Sequence, residues 1–240
     1  MSLLAGLKVT EAVEGDSDVL GGSVVDSGIY PCVINVAYVD ESKGGAKSFN
    51  LHLTTDKGQA IKQTLYVTSG KAKGCLPYYE RNGKKQFLPG YNQANAVCIL
   101  TLDREISEMD TEEKVVNIYD YEAKKELPTK VAMITDLLNQ RVDVGIIKQV
   151  VDKNAKNAAG IYVPTGETRE ENEITKVFRA SDGLTVNEIK AGETKPDFRA
   201  KWAKKFTGTV RNKAKGAAEG STAGAPKTSA APAETASLFS

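Results

Sequence analysis

Apolar and polar residues alternate through the first half of the chain. Gly28–Val39 is rich in β-formers (Ile29, Tyr30, Val33, Ile34, Val36, Tyr38) and reads as a long strand. Asp40-Glu41-Ser42-Lys43-Gly44-Gly45 reads as a turn. In Ser48–Thr55, Phe49, Leu51 and Leu53 point one way and Ser48, Asn50, His52 and Thr54 the other. After Asp56-Lys57-Gly58, Ile61, Leu65 and Val67 point inward and Lys62, Thr64, Tyr66 and Thr68 outward. Three antiparallel strands with one apolar face predict a curled meander.

The period changes at residues 91–102, where Ala94, Val97, Cys98 and Leu102 share one helical face. Strands are expected again at Val115–Tyr121, Thr129–Ala132, Arg141–Val151 and Glu173–Ala180. Residues 152–172 read as a polar linker. Short helical turns are expected at 136–138 and at 184–189, the second capped by Thr185. Phe198, Trp202 and Phe206 recur every four residues, which puts them near one face of a helix, packed on the β-domain. The fold class is therefore mainly β. The expected architecture is a five-stranded barrel of the oligonucleotide-binding (OB) type, with a helix between its third and fourth strands and long loops. Residues 1–27 are expected to form an acidic arm, 28–210 the barrel domain and 211–240 a disordered tail rich in Ala, Gly, Ser and Pro.

Charge changes this picture only through its distribution, because the formal net charge is +1. Residues 103–113 hold six acids and one arginine, and residues 195–215 hold eight cations against Asp197. Three cysteines without metal-ligand spacing and a single histidine, His52, argue against a closed zinc site. No segment is apolar enough to span a bilayer, so a soluble, intracellular protein is expected. Gly70-Lys71-Ala72-Lys73-Gly74 lacks the spacing of a phosphate-binding P-loop. No nucleophile pattern surrounds His52. No catalytic residue, metal or cofactor is expected, and the protein reads as a binder rather than an enzyme.

Residues 69–91 carry the chemistry. Lys71, Lys73, Arg81, Lys84 and Lys85 face one acid, Glu80, and Tyr78, Tyr79, Phe87 and Tyr91 lie among them. Glycines and prolines favour an irregular loop. Cations can follow a phosphate backbone while rings stack on unpaired bases, the combination that single-strand binding needs. Beside the outward face of the second and third strands, the loop is expected to form one groove. Lys62, Lys71, Lys73, Arg81, Lys84 and Lys85 would meet phosphates there, and Tyr66, Tyr78, Tyr79 and Phe87 would stack on bases. A solvated loop folded back on the core is the competing reading.

Several segments resemble bacteriophage single-stranded DNA-binding proteins. They are Leu4-Ala5-Gly6-Leu7-Lys8-Val9, Asp26-Ser27-Gly28-Ile29-Tyr30-Pro31, Ser42-Lys43-Gly44-Gly45 before Ser48-Phe49-Asn50-Leu51, and the stretch from Thr68-Ser69-Gly70 to Leu88-Pro89-Gly90-Tyr91-Asn92. The resemblance runs through most of residues 1–210. It implies an OB barrel that coats single-stranded DNA during phage replication and recombination, in the cytoplasm of an infected bacterial host. It also implies that phage or host replication and recombination proteins could dock on the C-terminal tail through Phe239. The tail departs from the acidic form common among such binders, with only Glu219 and Glu234 as acids beyond Gly216. The alternatives are a structural or assembly protein of the virion and a metal-dependent nuclease using the acids of 103–113.

Overall fold

The structure is a computed structural model that describes residues 24–120, 123–158 and 160–215. The segments expected to form most of the arm and the tail, with Phe239, lie outside the described residues. The first strands follow the alternation: β1 (Gly28–Glu41), β2 (Lys47–Thr55) and β3 (Ala60–Tyr66) form an antiparallel meander. A short hairpin follows, β4 (Tyr78–Arg81) and β5 (Lys84–Phe87), and then helix α1 (Pro89–Leu102). A second hairpin, β6 (Glu112–Asp120) and β7 (Lys125–Met133), precedes two long strands, β8 (Arg141–Lys156) and β9 (Tyr162–Arg179). The chain then forms α2 (Val186–Lys190), α3 (Asp197–Phe206) and β10 (Val210–Asn212).

β1 organises the sheet. One edge pairs with β2; the other is shared between β8, along Gly28–Val33, and β7, at Tyr38 and Val39. β9 pairs along the far edge of β8, so the strands run in the order β3-β2-β1-β8-β9. The expected closed barrel is not completed by backbone pairing. The sheet stays open between β3 and β9, where the Gln63 side chain accepts a hydrogen bond from the Ile174 amide at 3.0 Å. A register shift in β9 beside Ile174 disrupts the strand there and leaves that amide to a side chain.

Phe49, Leu51, Leu53, Ile34, Ala37, Ile146 and Ile174 fill the interior, and α1 covers one end of it with Ala94, Val97 and Cys98. These α1 positions lie on the face that the helical periodicity marks. The expected polar linker at 152–172 is instead strand on both sides of a turn, because β8 and β9 pair down to Lys156↔Tyr162. Its side chains are polar on both faces, so hydrophobic alternation gives no signal there. Backbone pairing extends the hairpin, helped by the Lys153–Glu167 ion pair and by Lys156 over the Tyr162 ring. The fold also begins before Gly28: Val25 is buried, and its amide and carbonyl both bond the Asn172 side chain. It continues past residue 210, where β10 runs parallel to β8 and was not expected from the pattern.

The aromatic stripe packs as expected. Trp202 is buried on Phe178 and Ile147, while Phe198 keeps a partly exposed ring. Gly145 makes room for it, since a Cβ there would lie 2.9 Å from the Trp202 ring. Gly145→Ala should therefore cost about 1–3 kcal/mol through overpacking. In urea denaturation the midpoint should fall with an unchanged slope; an unchanged midpoint would show that α3 is not held against β8.

Candidate nucleic-acid interface

The basic segment is more ordered than its glycines suggest. Lys71–Lys73 form a 3-10 turn, and the Lys71 amide donates to the Gly44 carbonyl at 2.8 Å. The Cys75 thiol reaches the Gly45 carbonyl at 3.3 Å, so the β1–β2 turn grips the base of the segment. Leu88 N–H to Pro77 O, at 2.9 Å, ties its two ends together. Between them β4 and β5 pair around Asn82-Gly83, both with positive φ (52° and 68°). That dipeptide suits a tight two-residue hairpin turn, and it is the signal that a reading of the segment as an irregular loop overlooks.

Pairing sorts the side chains. Tyr78 faces Phe87 and Glu80 faces Lys85 on one face of the hairpin; Tyr79 faces Gln86 and Arg81 faces Lys84 on the other. On the first face, Lys85 Nζ lies 4.9 Å from the centre of the Tyr78 ring, and Phe87 stacks on Tyr91 at 4.6 Å with the rings 15° apart. Phe87 is half exposed. Burial, then the nearby Glu105 carboxylate, raises the Tyr91 phenol above its ordinary pKa, which keeps that ring neutral. On the second face, the Tyr79 hydroxyl bonds the Gln86 amide oxygen at 2.9 Å.

Arg81 and Lys84 are like charges directly across a two-stranded ladder, an arrangement that is unfavourable without an anion. Among the described residues, no carboxylate lies within ion-pair distance of Lys71, Lys73, Arg81, Lys84 or Lys85. In the basic stretch at 195–215, Arg199 pairs with Asp143, and Arg211 and Lys213 pair with Glu173, while Lys195, Lys201, Lys204, Lys205 and Lys215 form no ion pair among the described residues.

The outward face of β2 and β3 is open only in part. The β6–β7 hairpin folds over the neighbouring outer face of β1, placing Val131, Met133, Val116 and Ile118 on Tyr38 and Val36. On β2, Asn50 and Ser48 are buried, Asn50 bonded to both Ser48 and Thr64, whereas Lys62, Thr64 and Tyr66 of β3 are exposed. Lys62 lies 3.8 Å from Glu126 near the tip of that hairpin. Tyr66 stays exposed at the end of β3, and its backbone meets the start of α1 at Gly90, where a Cβ would collide with it. The structure thus brings together Tyr78, Lys85, Phe87 and Tyr91, sets Tyr79, Arg81 and Lys84 behind them, and leaves Lys62 elsewhere.

Four of the six acids of 103–113 have structural partners. Glu105 and Glu108 form a capping box, Glu112 pairs with Lys114, and Glu113 with Lys130. Among the described residues no group of three or more His, Cys, Asp or Glu could hold a metal ion, and no helix is long and apolar enough to cross a membrane. Compared with known proteins, the chain matches no family model and no curated sequence.

His52, whose ring meets Tyr38 edge-on at 6.1 Å, gives this face of the sheet a pH dependence. Burial, then Lys62, lowers its pKa, and Glu126 opposes them. The folded state therefore favours the neutral ring, and the unfolded chain takes up the proton first. Stability should be intact above about pH 6.5, the ordinary histidine value, and fall as the pH drops below it. Thermal unfolding should show that loss for the wild type and a flatter profile over the same window for His52→Gln. An equal loss in both would place the titrating group elsewhere.

Proposed function

We propose that the protein binds single-stranded DNA without sequence preference, through the β4–β5 hairpin and the Phe87–Tyr91 stack. The observation that carries this reading is the Arg81–Lys84 pair, with no acid partner and directly opposed on a hairpin whose other face presents stacked rings. Phosphates would relieve the repulsion on one side while bases stack on Tyr78 or Phe87 on the other, at about 1–3 kcal/mol per base. Binding involves no bond-making step. Lys71 and Lys73 at the foot of the hairpin extend the positive track, and Tyr79 and Tyr66 are the further rings within the same part of the fold. Lys62 contributes less than the sequence suggests, because Glu126 already lies near it.

In the same reading, β1, β2, β3, β8 and β9 are a variant of the OB barrel. The support is their neighbour order, the near approach of β3 and β9 through Gln63, and the position of α1 after the third of these strands. The role in phage replication and recombination rests on the segment resemblance described above.

The test is anisotropy of labelled oligo-dT against duplex of equal length, each over a series of salt concentrations. Single strand should bind more tightly at every salt concentration, since only unstacked bases offer their faces. Replacing Lys84 and Lys85 together by Ala should reduce the salt slope by about 1.4, at about 0.7 per phosphate contact. Equal affinity for both forms, or an unchanged slope, would refute the reading.

A further inference from the structure

Phe87 and Tyr91 do more than close the hairpin: they also form one wall of a cleft of about 530 Å³ between α1 on one side and β9 with α2 on the other. That volume falls in the range of small-molecule sites. Asn92 and Asn187 border it with amides, and Lys190 and Lys176 stand on the wall across from the rings. Lys190 has no ion pair or side-chain hydrogen bond among the described residues, and Lys176 lies over the Phe198 ring at 4.8 Å. The one acid in the lining, Glu105, is turned into its capping box with Glu108.

Resting on the single-strand reading, we infer that this cleft takes one nucleotide of the bound strand. Its base would lie against the Phe87–Tyr91 stack, its polar edge would meet the Asn92 and Asn187 amides, and its phosphate would lie toward Lys190. The strand would therefore leave the hairpin along α1 and α2, away from the β6–β7 hairpin. A stacked ring opposite an ammonium group suits a nucleotide better than a purely apolar ligand, because both halves of the ligand find a partner. Amides carry both donor and acceptor groups and so can serve any base edge.

Lys190→Glu and Asn187→Leu test this, because both side chains are exposed and neither makes a side-chain bond that holds the fold among the described residues. Each should weaken oligo-dT binding roughly tenfold, the worth of about one base contact, with an unchanged melting temperature. In the wild-type protein, the side-chain amide signals of Asn92 and Asn187 should shift in NMR spectra when a short oligo-dT is added. Wild-type binding that falls with the Lys84/Lys85 double variant but not with either cleft variant, and with no movement of those amide signals, would overturn the cleft while leaving the hairpin reading intact. A wild-type protein that binds no oligo-dT at all would overturn both.

Discussion

The structure depends on one irregularity in β1. Between Ile34 and Val36 the register against β2 slips by one residue, with Asn35 as the extra one. A strand alternates its side chains strictly, so one inserted residue exchanges the faces of everything after it. Cys32 and Ile34 face the interior, and beyond the bulge Ala37 and Val39 take over that role. Val36 and Tyr38 are thereby turned to the outside, where they seed a second apolar cluster. The same bulge marks the place where β1 leaves β8, and further along it meets β7. The Asn35 side chain is held by the Thr54 hydroxyl at 2.7 Å.

The outer cluster bears on the proposed function. A pair of large apolar side chains on the outside of a sheet needs a cover, and the β6–β7 hairpin supplies it. The hairpin covers β1, beside the second and third strands on whose face an oligonucleotide-binding barrel commonly receives its ligand. On the connection from β3 to α1, cations without an acid partner stand beside partly exposed rings. That connection is rigid where it matters. It is gripped by the β1–β2 turn at Gly44 and Gly45, closed on itself at Pro77 and Leu88, and butted against β3 at Gly90. A hairpin fixed at its base can hold like charges opposite each other while the rest of the sheet stays undisturbed.

Much of this was legible in the sequence where a single physical signal sufficed. Alternation marks β2 and β3, helical spacing marks α1, and Thr185 with Glu188 marks the cap of α2. The charge and ring composition of residues 71–87 falls on the β4–β5 hairpin and the turn at its foot. What the sequence hides depends on partners distant in the chain. Ser48 and Asn50 of β2 look solvated because nothing local reveals that they will be buried. The distal β8–β9 arm is largely polar, so it reads as a linker although its strands pair on both sides of an irregularity at Lys153. Tyr91 is marked by its neighbours as an aromatic of the loop, but Lys176 and Lys190 join it only through the packing of β9 and α2 against α1. Asn82-Gly83 was visible and is the one local cue whose meaning, a tight hairpin, a reading based on glycine and proline content misses.

The central claim is that single-stranded DNA lies on the β4–β5 hairpin rather than on the outer face of the sheet. Ultraviolet cross-linking of oligo-dT to the full chain, followed by mass spectrometry of the peptides, tests it most directly. The account predicts adducts within residues 78–91, at Tyr78, Tyr79, Phe87 or Tyr91. Adducts confined to the β2–β3 strands around His52, or to the β8–β9 arm at Tyr162, would contradict it.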